Sequence, residues 1–219
     1  MPSDFVDPYI DPKTGILANI PGARTWDALK QAEGELVGTR LLQLFADPPL
    51  ICNGSLDELK IIHHRLFQDV YAWAGLIRTV EIRKNIEDSE FFLPSTNIAM
   101  GVTWSQSELK HDHMLKGMDL ATFAERLAYH YDNYNFVHPF REGNGRTQRV
   151  MWTMLCHSAG YDLDWRQVSG DENDNASRIA AEDRDYSALI SIFMRIAHPC
   201  DPSRPFNMDF VPAEHLGER

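Results

Sequence analysis

The fold class that these 219 residues predict is all-α, a helical bundle with one short β-hairpin. Three observations predict it. Apolar residues recur at spacings of three and four over most of the chain, and residues suited to helix caps stand at the head of these runs. The period drops to two between Arg78 and Phe92. At 43% hydrophobic residues, the chain is also long enough to bury one substantial core, so a single domain is expected.

Residues 1–24 are rich in Pro, Gly and Asp and predict an irregular arm over the surface. Thr25 is placed to cap a helix reaching about Phe45, with Leu29, Leu36 and Leu44 on one side and the prolines of "ADPPL" ending it. Ser55 and Glu58 form a capping-box pattern before Leu59, Ile62, Leu66, Val70 and Trp73, which predicts a helix closed by Gly75. In "RTVEIRKNIEDSEFFLP", Val80 and Ile82 alternate with Glu81 and Arg83, a polar turn follows, and Phe91 and Phe92 open a second strand. Helical spacing returns over residues 96–115, and again after Asp119 through Phe123, Leu127, Tyr131 and Tyr134. A loop interrupts this run. Val150, Met151, Met154 and Leu155 then mark a helix ending near Gly160, and Tyr186, Leu189, Ile190 and Phe193 mark one more. The domain is read as 25–200, with a polar, proline-broken tail at 201–219.

Composition excludes several classes of function. Acidic residues outnumber basic ones by 32 to 21, a formal charge of -11, so direct nucleic-acid binding or adhesion to an anionic membrane is not expected. Any phosphate must be held locally. The start, "MPSDFVDPYIDPKTGIL", lacks a secretory signal, and no apolar run approaches the ~20 residues of a membrane span, which predicts a cytoplasmic protein. Cys52, Cys156 and Cys200 are far apart and form no C-x-x-C, so the spacing suggests neither a disulfide framework nor a cysteine zinc site. The pairs His63-His64 and His111-x-His113 lack the spacing of four that suits zinc on a helix, which argues against a metallohydrolase.

The chemistry concentrates in "VHPFREGNGRTQR", residues 137–149. Gly143 and Gly145 flank Asn144 where a helix begins, so the backbone can turn tightly and aim several N–H groups at one point, with the positive end of the helix dipole behind them. Arg146 and Arg149 stand three apart, neighbours on one helical face, and suit different phosphate oxygens. Glu142 is a hard oxygen ligand beside this cradle, suited to Mg²⁺ on a polyphosphate. His138, its backbone restricted by Pro139, is a candidate general base with an ordinary pKa of ~6.5. Together they describe transfer of a phosphorus group to a hydroxyl. A His-Pro-Phe loop or a Gly-Asn-Gly turn alone is commonplace; no packing requirement asks for all these residues within one short stretch.

Residues 138–149, "HPFREGNGRTQR", match in full the H-P-F-x-[DE]-G-N-G-R-x-x-R signature of the Fic family. The stretch "LFQDVYAWAGLIRTVEI" resembles the family's helix leading into its flap, and "DPYIDPKTGIL" resembles the start of its short bacterial toxin members. The resemblance implies a Fic fold with a central helix-loop-helix active site, and transfer of AMP from ATP to a protein hydroxyl. It implies that His138 is the base, that Glu142 positions Mg²⁺, that Gly143, Asn144 and Gly145 form an anion hole, and that Arg146 and Arg149 hold the far phosphates. Val80, Ile82, Lys84, Phe91 and Phe92 would belong to the target-docking flap. Gly145 stands where phosphate-transferring relatives carry lysine, which favours AMP; UMP transfer, deAMPylation or a non-catalytic interaction module are the alternatives. The family's inhibitory pattern [S/T]-x-x-x-E-[G/N] is absent: Glu33-Gly34 is preceded at that spacing by Leu29, and Glu172-Asn173 by Val168. The resemblance therefore implies a toxin-like enzyme restrained by a separate small antitoxin protein, with type II topoisomerase subunits such as those of DNA gyrase as candidate targets.

Overall fold

Two long helices, joined by the motif loop, carry the centre of the molecule. The structure is a computed structural model that describes residues 7–47, 51–83 and 91–210. Helix α4 (Leu120–Val137) starts where the Asp119 carboxylate accepts the N–H groups of Ala121 and Thr122, and it buries Phe123, Leu127, Tyr131 and Tyr134. Helix α5 (Asn144–Ala159) buries Val150 through Cys156 without interruption, as a helix enclosed on nearly all sides must. It ends at Gly160, whose φ of 100° is the left-handed conformation expected of a glycine cap.

Around this pair pack α1 (Trp26–Ala46), α2 (Leu56–Phe67), α3 (Ile98–His111), α6 (Gly170–Asp183) and α7 (Ser187–Ile196). Helix α1 lies on α2, α2 on α5, α3 on α4, and α7 on α4. Strands β1 (Tyr161–Leu163) and β2 (Ala197–Pro199) pair antiparallel, with Asp162 opposite His198. No helix among the described residues is long and apolar enough to cross a membrane.

The mostly helical class predicted from spacing is observed, and Thr25 and Ser55 cap their helices as expected. Four details differ. Helix α2 stops at Phe67 and does not run on to Gly75: the amides of Val70 and Tyr71 both turn back to the Phe67 carbonyl, Ile20 takes the Val70 carbonyl, and His63 takes the Gly75 amide. The run at 96–115 breaks after α3, where His113, Met114 and Leu115 all adopt positive φ. Helix α6 and the β1–β2 pair carry too few apolar residues to announce themselves; α6 buries only Ala176, Ser177 and Ala180. The supposed surface arm is packed, because Tyr9, Ile16 and Leu17 belong to the core.

The predicted hairpin is present as an antiparallel bridge between Arg83 and Phe91, extended by the Phe92 amide donating to the Ile82 carbonyl at 3.1 Å. Lys84 lies outside the described residues.

Candidate active site

His138 terminates α4 in the left-handed region, with φ 45° and ψ 63°, a conformation that costs a non-glycine residue about 1–3 kcal/mol. Its ring is half-buried, and Nδ1 lies 3.1 Å from the Asn135 carbonyl. A carbonyl only accepts, so in the neutral ring the proton sits on Nδ1 and Nε2 carries the lone pair, the tautomer of a base.

The backbone here is held by Arg78, whose guanidinium is 1% exposed and donates to the carbonyls of His138 and Val80, each at 2.8 Å, and to that of Leu93. The Arg78 amide also donates to the Pro139 carbonyl at 2.9 Å. One side chain thus ties both sides of the hairpin to the turn that carries His138. Burial lowers the Arg78 pKa, and nearby Glu81 partly restores it. Arg78 is not among the residues the motif marks; its one local signal is a lone arginine between Ile77 and Val80 in an apolar stretch.

The cradle follows. Gly143 has φ 80°, and a Cβ there would fall 2.4 Å from the Phe67 ring, so both conformation and space demand glycine. Among the described residues, a Cβ at Gly145 would meet only Arg149 Nη2, at 3.7 Å. The Asn144 side chain is 7% exposed and turns inward, accepting from the Phe140 amide and donating to the Phe140 carbonyl, both at 2.8 Å. Asn144 therefore shapes the loop with its amide group and can serve an anion only through its backbone N–H, one of the first-turn donors that a helix leaves without intrahelical acceptors.

Beneath the loop lies His63, whose Nδ1 accepts from the Gly75 amide at 2.8 Å, which leaves Nε2–H to donate to the Glu142 carbonyl at 3.0 Å. It stacks on Phe140 at 3.9 Å. Burial, with the charge of Arg146 adding to it, pushes the His63 pKa down to about 3, so the ring is a neutral anchor whose two nitrogens are already engaged by Gly75 and Glu142.

The Glu142 carboxylate accepts from the Gly143 amide at 3.0 Å and lies 3.4 Å from Arg146 Nη2. Arg146 lies over the Phe67 ring, 4.7 Å from its centroid, and pairs with Glu33 of α1. Glu33 is itself 8% exposed and accepts from the Tyr71 hydroxyl at 2.6 Å. Glu33 does not fit the inhibitory pattern, yet the fold brings it onto the first motif arginine. No local spacing reveals this contact, since α1 and α5 meet only in the folded chain. Arg149 is half-buried, and desolvation followed by the like charge of Arg146 lowers its pKa. Two guanidiniums held close and partly dry favour an anion between them.

In the flap, the Phe92 ring stacks on the His138 imidazole, Ile82 is half-buried, and Phe91 is 59% exposed beneath Arg83. Val80 corrects the sequence expectation: it is 5% exposed and packs the base of the flap into the core, so it does not face a target.

A helical domain with an imidazole, a glycine-lined turn and two arginines around one helix N-terminus is thus defined. The Fic/DOC family model matches residues 53–156. The chain is 36% identical over 171 residues to protein adenylyltransferase VbhT of Bartonella schoenbuchensis, covering 78% of this chain but 35% of that protein. It is 32% identical over 194 residues to the probable protein adenylyltransferase Fic of Escherichia coli, covering 87% of this chain and 92% of that one. The crystal structure of BepC from Bartonella tribocorum, with bound AMPPNP, shares the fold at a TM-score of 0.78 and 24% identity, over 88% of this chain and 97% of that one. The chain belongs to the Fic/DOC family.

Proposed function

We propose that this chain is a protein adenylyltransferase that moves AMP from ATP to a hydroxyl side chain of a target protein. The observation that carries the reading is the Nδ1 contact of His138 with the Asn135 carbonyl, because it makes Nε2 the basic nitrogen of a ring in the loop that leads into α5. The names of the relatives support the same activity.

In this mechanism His138 Nε2 takes the proton of the target hydroxyl as its oxygen bonds to the α-phosphorus. The bond from that phosphorus to the bridging oxygen breaks, and diphosphate leaves with the electron pair. The first-turn amides of α5 and the open face of Gly145 receive the phosphate oxygens, while Arg146 and Arg149 neutralise the charge that builds on the leaving group. Glu142 fits a hard cation, one carboxylate at the edge of the cradle with phosphates and water to complete the shell, and would hold Mg²⁺ there. Bound Mg²⁺ would supply charge neutralisation on the phosphates. The flap edge around Phe91 would receive a segment of the target as an added strand.

Restraint by a separate antitoxin carrying the inhibitory helix, and type II topoisomerase subunits as targets in the cytoplasm, belong to the same proposal. Support comes from the missing [S/T]-x-x-x-E-[G/N] pattern. Incubating the chain with a target lysate, Mg²⁺ and ATP labelled at the α- or the γ-phosphate tests the chemistry. Transfer of α-label that His138→Ala abolishes is expected; γ-label alone would mean a kinase and overturn it. Expression of the chain alone should halt bacterial growth, and harmless expression would remove the toxin reading.

A further inference from the structure

At the end of α5 remote from the motif loop, the fold gathers three metal-ligating side chains that lie apart in sequence. His157 Nδ1 is 2.7 Å from Asp162 Oδ1 and 3.6 Å from Cys200 Sγ. The three ligand atoms all lie within 4.8 Å of one another. They come from the last turn of α5, from β1, and from the residue after β2, and the Cys200 amide donates to the Gly160 carbonyl at 2.9 Å. Backbone pairing therefore sets their spacing.

Two features point to a cation among them. His157 Nε2 lies 2.9 Å from the Arg204 carbonyl, so both ring nitrogens face acceptors. A neutral imidazole carries one proton and satisfies one of them; the other needs a second positive centre, either a proton or a metal ion. An Nε2–H donated to a backbone carbonyl is also the arrangement that fixes Nδ1 as a metal ligand. The second feature is position. Cys200 Sγ lies 3.8 Å from the His157 carbonyl in the last turn of α5, where the helix dipole favours positive charge.

We propose that His157 Nδ1, Asp162 Oδ1 and Cys200 Sγ form a zinc site, with water in the fourth position. Thiolate, imidazole and carboxylate together suit Zn²⁺. Tetrahedral bonds of about 2.0–2.3 Å set ligand atoms roughly 3.3–3.8 Å apart, so the nitrogen–sulfur pair already fits and the nitrogen–oxygen pair has to open by under ~1 Å. Around the site, Phe206 stands edge-on to His157 at 5.9 Å and stacks on Phe45 of α1 at 5.4 Å. The ion would clasp the segment after β2 to α5, a structural role that is independent of the nucleotidyl chemistry.

The test uses the full chain, stripped with a chelator and titrated with Zn²⁺ by calorimetry and with Co²⁺ by absorption. One Zn²⁺ per chain, a raised unfolding temperature and a thiolate-to-cobalt charge-transfer band are expected. Cys200→Ser should remove the band, and Cys200→Ser and His157→Gln should each weaken zinc binding at least about 100-fold, since losing even an outer-shell group costs about 10–100-fold. His111→Gln with His113→Gln should change nothing. Failure of the wild type to bind, or unchanged binding by either Cys200→Ser or His157→Gln where circular dichroism shows that variant folded, overturns the site.

Discussion

The Phe92 ring lies flat on the imidazole of His138, with centroids 3.7 Å apart and planes 9° from parallel. The hairpin thereby holds the His138 ring, the base in the proposed mechanism. A stacked pair of this kind is worth about 0.5–1.5 kcal/mol, so Phe92→Ala should lower kcat by roughly 2- to 10-fold with little change in the KM for ATP, while Phe92→Tyr keeps most of the rate. Steady-state transfer of α-label decides it. A rise in KM at unchanged kcat would place Phe92 in nucleotide binding instead.

The two motif glycines separate by physical cause. Gly143→Ala puts a Cβ into the Phe67 ring on a backbone with φ 80°, and should cost more than about 1 kcal/mol of stability. Gly145→Ala meets nothing among the described residues closer than Arg149 Nη2, and in a helix the change gains up to about 1 kcal/mol. The expected signature is a folded, equally or more stable Gly145→Ala protein with weakened ATP binding, read by thermal melts beside nucleotide titration. Unaltered affinity would mean that phosphate does not approach over Gly145.

These contrasts show what local sequence can and cannot reveal. The helices around Phe123 and Val150 and the loop between them were legible because capping residues, a spacing of three to four and a dense motif all lie within short windows. Asn144 was legible as a loop residue but not as the clamp on Phe140, because its amide could equally have turned outward. Arg78, His63 and Glu33 support the site from 60, 79 and more than a hundred positions away, so no periodicity marks them. For Arg78 and His63 the signal was chemical, a polar residue beside apolar ones that has to find a buried partner, whereas Glu33, between Gln31 and Glu35, carried none.

Glu33 and Arg146 form such a pair, with side chains only 10% and 11% exposed. Removing one member of a buried pair leaves the other charge uncompensated, at about 3–5 kcal/mol. The Glu33→Ala protein should lose most of that range, reduced where Glu142 at 3.4 Å takes over the guanidinium. In a double-mutant cycle with Arg146→Ala, denaturant unfolding should give a coupling of at least about 1 kcal/mol. Additive losses would show that the two side chains do not support one another.

The neutral anchor His63 makes the site sensitive to acid, and the sign follows from its depressed pKa. In the unfolded chain an imidazole titrates near ~6.5, whereas burial holds the folded ring at about 3. Between these values the unfolded chain binds more protons, so stability is fully present above about pH 6.5 and is lost as pH falls toward 3. Glu58 has the opposite slope, because burial raises its carboxyl to about 7 and the folded chain then binds the extra proton. The His63 contribution must therefore be read as the difference between wild type and His63→Gln, whose amide does not titrate. Wild-type stability, measured by denaturant unfolding from pH 8 to pH 4, should fall more steeply than that of His63→Gln. Transfer activity of the folded enzyme should hold until pH nears the folded value of about 3, where a protonated Nδ1 can no longer accept from the Gly75 amide. Parallel curves for the two proteins would remove His63 from the account of how this loop is held.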